Sequence, residues 1–387
     1  MISNHRERQI NAACEALTSR GGKFFDLPTI LPASLVLELA GEGLRPRLFF
    51  VTAPDGSEMC LRPDLTIAAV VDYIGYAEYD NEPSAIACKG QVFRGARTGE
   101  DRAPEFIQIG LERFGEHDRE SDVIIFLAAW DACRAGGLDA LRVRFCDGGL
   151  LGAVISGANL DEIWRTALLE QTAHPRAFLN VLEQAKGGGR MMSALEQEIA
   201  DLPFDIARAH VATVIAQSDL SLAATRSLED VTSRLMLRAK RTCAAPIAPQ
   251  IAETLHELAT LRQGDAALEA TLDHVVILVA RIGVDLAAWR AQWRERLTDI
   301  AAQAPDALIG ARFEALGEEA FDYYDGMAFD IATYNSFSKP DFSRPVATGG
   351  RYDRLVGEVS SGTRHATAVG CVVRPDRFPR DSNGEGG

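Results

Sequence analysis

Lys89–Gly115 reads KGQVFRGARTGEDRAPEFIQIGLERFG. The stretch predicts two strands joined by a charged loop. The first strand ends in Gln91-Val92-Phe93-Arg94. The loop, Gly95 to Pro104, carries Arg97, Glu100, Asp101 and Arg102 beside Gly95, Gly99 and Pro104. The second strand runs from Glu105 to Gly115, and its alternation assigns the faces. Ile107, Ile109 and Leu111 share one face, predicted to be buried. Gln108, Gly110 and Glu112 share the other with Phe106 and Phe114. An amide, a residue without a side chain and a carboxylate thus line up, and Gly110 leaves room for a small molecule against the backbone. A strand with one solvated polar face fits the same pattern.

The chain has 387 residues, 47% of them hydrophobic and 25% charged, enough for two or three domains with a sizeable core. Forty basic and 55 acidic residues leave a net charge of −15, which argues against broad nucleic-acid binding. The seven cysteines are scattered, with no C-x-x-C pair and no metal-ligand spacing, so they are expected to be reduced in a cytoplasmic protein. The start, MISNHRERQI, has no apolar signal-peptide core. The most apolar run, His274 to Arg281, is too short to cross a membrane. Nothing in the residues calls for a cofactor or a metal.

Residues 5–19 predict a helix with Ile10, Ala13, Cys14 and Leu17 on one face. Phe24 to Pro32 follows as an extended segment, and Ser34 is placed to cap a short helix through Leu39. Ala53-Pro54-Asp55-Gly56 marks a hairpin between Arg47–Val51 and Glu58–Arg62. Leu61-Arg62-Pro63-Asp64-Leu65-Thr66 then leads into a helix from Ile67 to Tyr76, where Asp64 and Thr66 also suit plain helix capping. Ser121 to Cys133 reads as an apolar helix and Leu141 to Phe145 as a strand. From about residue 155 to 305 the pattern is nearly all helical and silent on chemistry. Lys186-Gly-Gly-Gly-Arg190 lacks the Lys-Ser/Thr of a phosphate loop and reads as a link. His210, His256 and His274 stand singly and read as surface or core residues. Strand character returns at Phe321–Ile331, and Thr348-Gly-Gly-Arg-Tyr-Asp-Arg-Leu355 follows.

These pieces resemble the histidyl-tRNA synthetase branch of the class II aminoacyl-tRNA synthetases. Phe93, Arg94, Phe106, Gln108, Gly110, Glu112, Phe114 and Gly115 match its second motif, F-R-x-E, a loop, then F-x-Q-x-G-x-E-x-F-G. Leu61–Thr66 is similar to L-R-P-E-x-T, with Asp64 one methylene shorter. Asp322, Tyr323, Tyr324, Gly326 and Phe329 match R-G-L-D-Y-Y-x-G-x-x-F-E, and Gly349–Leu355 matches G-G-R-Y-D-x-L. The extended segment around Pro28 resembles the first, dimer-forming motif. Three departures stand out: Ala96 replaces the Glu of F-R-x-E, Glu319 replaces the arginine before D-Y-Y, and the third motif survives only as Gly370-Cys-Val-Val-Arg-Pro-Asp-Arg377. A carboxylate where negative charge develops on adenylation is anticatalytic. The chain also ends at Gly387, which leaves no expected room for an anticodon-binding domain.

The resemblance implies an α+β fold: a class II synthetase-like mixed, mostly antiparallel sheet flanked by helices, with a helical insertion. It implies a synthetase-like part over 1–155, a helical region over 156–305, a second synthetase-like part over 306–378 and a disordered tail over 379–387. The site it implies binds histidine. Glu112 and Tyr324 hold the imidazole, Asp64, Thr66 and Gln108 the α-ammonium, and Arg94 the carboxylate, with Tyr323 and Tyr352 lining the wall. A kept amino-acid pocket without adenylation machinery resembles the regulatory subunits that serve short-form ATP phosphoribosyltransferase. These implied partners are that enzyme's catalytic subunit and L-histidine as feedback inhibitor, in a homodimer within a larger hetero-oligomer. No catalytic residue, membrane or stable nucleic-acid partner is implied. Two other readings stay open: a truncated enzyme that makes histidyl-adenylate, and an interaction scaffold with a vestigial pocket.

Overall fold

The computed structural model describes residues 4–75, 84–96, 103–115, 119–172, 174–187, 192–217, 227–261, 267–315, 323–334 and 339–379. The motif-two loop over 97–102, Glu319, Asp322, part of the glycine run and the tail from 380 lie outside them. The chain divides into two compact units, Met1–Leu150 with Leu261–Val276 and Leu286–Gly387, and Leu151–Thr260 with Ile277–Asp285.

In the first unit, α1 (Asn4–Ser19) is followed by β1 (Lys23–Phe25), β2 (Ile30–Pro32) and α2 (Ala33–Ala40). Then come β3 (Phe50–Thr52), β4 (Glu58–Leu61), α3 (Leu65–Gly75), β5 (Ser84–Phe93), β6 (Glu105–Phe114), α4 (Arg119–Ala135) and β7 (Arg142–Asp147). The helical stretch runs through α5 (Leu150–Gly157), α6 (Glu162–Leu169), α7 (Pro175–Ala185), α8 (Ala194–Ile199), α9 (Phe204–Gln217), α10 (Leu228–Cys243), α11 (Pro249–Ala259), α12 (Leu268–Ala280) and α13 (Ala287–Gln303). The chain closes with β8 (Arg312–Phe313), β9 (Met327–Ala332), β10 (Ala347–Arg351), α14 (Asp353–Val359) and β11 (Ala368–Val373).

Eight strands form one sheet in the order β1-β5-β6-β11-β10-β9-β7-β8, and β2-β4-β3 form a small second sheet. Among the described residues only β1–β5 and β7–β8 pair in parallel, so the sheet is mixed and mostly antiparallel, as the family resemblance implied. Ser34 does not cap α2: the helix starts at Ala33 with Pro32 at the cap position and no side-chain cap bond. Proline's fixed φ suits that entry.

The alternation in β6 holds, but its polar face does not meet water, while Ile107, on the face expected to be buried, is only half-buried. β6 lies between β5 and β11, and Phe106, Gln108, Gly110, Glu112 and Phe114 are buried as fully as Ile109 and Leu111. On the polar face, α3 stacks Tyr73 on Phe114 with ring centroids 4.2 Å apart. On the other face, Phe126 of α4 packs edge-on against Phe329 of β9. The polar row is therefore desolvated, which ordinary packing does not reward.

The second unit is helical, with a small core of Ile199, Ala207, Val211 and Met236. Its α8 and α10 both start in capping boxes, Ser193 with Glu196 and Ser227 with Asp230. No helix among the described residues is long and apolar enough to cross a membrane.

Candidate functional site

The β6 register puts Glu112 across from Ile86 of β5 and Gly370 of β11, and Gly110 across from Cys88 and Val372. At Gly110 there is no vacant niche. A Cβ there would lie 2.8 Å from the Cys371 carbonyl oxygen and 3.1 Å from Cys88 Sγ, so strand packing alone requires glycine. The room that matters lies one strand over. A Cβ at Gly370 would fall 1.4 Å from Glu112 Oε2. The bare backbone of Gly370 is what lets the Glu112 carboxylate sit flat against the sheet.

The start of α3 meets this row. Leu65 N–H donates to Gln108 Oε1 at 3.2 Å, and the Thr66 hydroxyl donates to Glu112 Oε1 at 2.8 Å. Asp64 Oδ1 accepts from Ile67 N–H at 3.0 Å, so Asp64 does cap the helix. Its other oxygen receives the Tyr323 hydroxyl at 3.4 Å, and the residue is only 1% exposed. Thr66 is no cap. The resemblance put it with Asp64 on one ligand group, whereas its hydroxyl here serves Glu112.

Three tyrosines close the cluster. Tyr352 donates its hydroxyl to Glu112 Oε2, and its ring lies 5.7 Å from Tyr323 and 6.5 Å from Tyr324. Their placement comes from contacts far along the chain. Asp325 accepts from the backbone N–H of Asp353 and Arg354 at 3.0 and 2.8 Å, tying the tyrosine pair to the start of α14. Arg351, next to Tyr352, donates from Nε to the buried Asp122 of α4 at 2.8 Å, and Arg296 of α13 donates to the same carboxylate. Arg62 gives its guanidinium to the Leu27 and Gln91 carbonyls at 2.7 and 2.8 Å, which fixes the backbone leading into Asp64. None of these anchors was predicted, because each is defined by a distant partner.

Arg94 is buried just beyond β5, its guanidinium 5.7 Å from the Phe106 ring. Its charge reaches Asp64 and offsets part of the burial that pushes that carboxyl upward. Ala96 is exposed. All eight candidate residues, Asp64, Thr66, Arg94, Gln108, Glu112, Tyr323, Tyr324 and Tyr352, therefore belong to one neighbourhood of the first unit, buried except for the half-buried Tyr324. Among the described residues Gln108 Nε2 has no hydrogen-bond partner although the residue is fully buried. An orphaned donor in a dry site marks a place built for an acceptor. No group of His, Cys, Asp and Glu among the described residues is arranged to hold a metal ion.

Burial pushes Glu112 up to about 8, the Tyr352 and Thr66 hydroxyls pull it back, and Asp64 adds to the rise. Glu112 thus holds its proton in the folded chain from the ordinary 4.5 to about 8, while the unfolded chain has lost it. The resulting stability is complete below about pH 4.5 and lost as pH rises through about 8. Urea unfolding should show stability falling across that window, by roughly a few kcal/mol from this group. Glu112→Gln should flatten the slope; an unchanged slope would assign the effect to another residue.

With this geometry in view, the model of the family described as "Histidyl-tRNA synthetase" matches residues 2–174 and 189–377. The chain belongs to the histidyl-tRNA synthetase family. Among curated family relatives, a Mesorhizobium japonicum protein named "ATP phosphoribosyltransferase regulatory subunit" is 29% identical over 358 residues, 91% of each chain. A Brucella anthropi protein of the same name is 28% identical and is covered to 95%, as is this chain. Of solved structures in the family, a Bacillus halodurans ATP phosphoribosyltransferase regulatory subunit/histidyl-tRNA synthetase aligns with a TM-score of 0.60. It is 19% identical, over 96% of this chain and 77% of that one. A histidine–tRNA ligase subunit from Alicyclobacillus acidocaldarius aligns at 0.53 and 17% identity, over 97% and 91% of the two chains. At such identities these structures establish the shared family fold.

Proposed function

We propose that this chain is a non-catalytic regulatory subunit of ATP phosphoribosyltransferase, at the first step of histidine biosynthesis, and that it binds L-histidine as feedback inhibitor. The observation that carries the reading is the cluster itself. Two buried carboxylates, three tyrosines and an orphaned amide are kept together in a synthetase-family sheet, while Ala96 and Glu319 stand where adenylation needs an acid and an arginine. The names of the relatives support the same role.

In this reading Glu112 accepts the ligand's imidazole N–H and Tyr324 serves the other ring nitrogen. Asp64 faces the α-ammonium, with Gln108 Oε1 as a second acceptor. Arg94 faces the carboxylate. The partner is the short-form catalytic subunit, and the setting is the cytoplasm. Exposed Phe24, Ile30, Phe49 and Phe50 gather on and beside β1–β3, around the first motif, and support a homodimer through that surface.

Inhibition then requires histidine to bind the inhibited assembly more tightly than the active one, because only a difference in affinity shifts a population. The usual coupling is about 1–3 kcal/mol, and reciprocity makes the catalytic subunit's substrates weaken histidine binding by the same factor. The test is reconstitution of this chain with the short-form catalytic chain and titration with histidine. Activation that histidine reverses is expected. Failure to activate, or activation that ignores histidine, overturns the reading. Histidine-dependent exchange of pyrophosphate into ATP by this chain alone would instead make it an adenylating enzyme.

A further inference from the structure

Arg374 is 3% exposed, yet its guanidinium contacts only neutral acceptors: the Pro345 carbonyl at 3.2 Å and the Thr348 hydroxyl at 3.3 Å. Among the described residues no carboxylate lies within ion-pair distance of it. A buried cation without a counter-ion is costly, and such a group usually waits for an anion.

Its place on the sheet shows where that anion arrives. Gly370 aims its missing side chain at Glu112, and Val372 packs beside Gly110, so even-numbered residues of β11 face the cluster. Arg374 continues that alternation with extended backbone, φ −113° and ψ 90°, and its N–H still pairs with the Val346 carbonyl at 2.8 Å. The last registered pair of β6 and β11 is Ile109 with Val373, which sets Arg374 across from Gln108. A buried guanidinium and the orphaned Gln108 Nε2 therefore share one face at one level of the sheet. Another buried arginine on this face, Arg144 of β7, is already neutralised by Asp330 and Glu314 at 2.7 and 3.3 Å. The charge of Arg374 also reaches Asp330, which Arg144 already engages, and Asp64 and Tyr324, which places it within electrostatic range of the cluster.

We infer that Arg374, with the Gln108 amide across the strand pair, anchors the carboxylate of the amino acid taken by this pocket. The inference rests on the reading of the cluster as an amino-acid site. It gives the site a second cation besides Arg94, from the strand where the third synthetase motif has lost a glycine. A zwitterion then spans the site, its ammonium toward Asp64 and its carboxylate toward Arg374. The pocket selects the free acid over an ester, amide or alcohol of the same side chain.

The test compares L-histidine with L-histidinol, whose carboxylate is replaced by an alcohol, by calorimetry on the full chain. Wild type should prefer histidine about 10- to 100-fold, as for one charge-assisted pair in a closed site. Arg374→Ala should lose most of that preference, histidine weakening toward the level of histidinol while histidinol is unchanged. Should Arg374→Ala melt early, Arg374→Met keeps the apolar stem and carries the same comparison. Equal binding of the two ligands by wild type overturns the inference, as does a folded variant that weakens both alike. A wild type that binds neither ligand removes the amino-acid reading itself; one that binds both equally keeps the pocket and removes the carboxylate anchor, from Arg374 and Arg94 alike.

Discussion

Glu112→Ala should bind histidine about 30- to 1,000-fold more weakly than wild type, a loss of roughly 2–4 kcal/mol. Three costs add in one direction. The ligand's ring N–H loses a carboxylate acceptor at the centre of a site closed to water. The Thr66 and Tyr352 hydroxyls lose the acceptor that now orients both. Asp64, next to it, is left as the cluster's remaining carboxylate to answer the ligand's positive end. Glu112→Gln separates these terms, because its amide oxygen still accepts from one hydroxyl but the group can no longer ionise. It should fall between wild type and Ala, and its affinity should lose any dependence on pH near 8, where Glu112 titrates. Calorimetry at pH 6, 7.5 and 9 reads both effects. A Glu112→Ala chain that binds histidine as wild type does would move the ligand off this cluster.

Local pattern and long-range partners divide what the sequence could and could not disclose. Gln108 and Glu112 were legible because a strand's period of two sets side chains on faces without any partner's help. The mixed, mostly antiparallel sheet was implied by the motifs those residues belong to; its eight strands and their order were not. Burial of the polar face was not legible, since it comes from β11 and α3 closing over β6. Thr66 sits at a helix start, where capping is the local reading, and only the tertiary contact reveals its bond to Glu112. Asp122, Arg62 and Asp325 look like ordinary charged residues until their partners are known. Gly110 was read as space for a ligand, but its neighbours Cys88 and Cys371 occupy that space. Gly370 carries the same letter and the opposite meaning: its space is real, and Glu112 fills it.

That space sets the other large expectation. Gly370→Ala should destabilise the fold by about 3 kcal/mol or more and abolish histidine binding, because it forces the Glu112 carboxylate out of its seat. The added methyl would lie 1.4 Å from Oε2 and 2.4 Å from Cδ, distances no small adjustment accommodates. Glu112 must then rotate away from Thr66 and Tyr352, leaving two hydroxyls without their acceptor in a dry site. The double variant Glu112→Ala/Gly370→Ala distinguishes this from general strain in β11. Truncating Glu112 empties the volume into which the methyl projects, so the two changes should not add. The double variant's loss is expected to fall short of the sum of the two single losses by roughly 2 kcal/mol, a coupling typical of residues in direct contact. Binding stays weakened at least to the Glu112→Ala level in all three variants, since each lacks a seated carboxylate. Chemical denaturation of wild type and the three variants closes the cycle. If the two losses simply sum, Gly370 does not seat Glu112, and the methyl acts on the β10–β11 ladder instead.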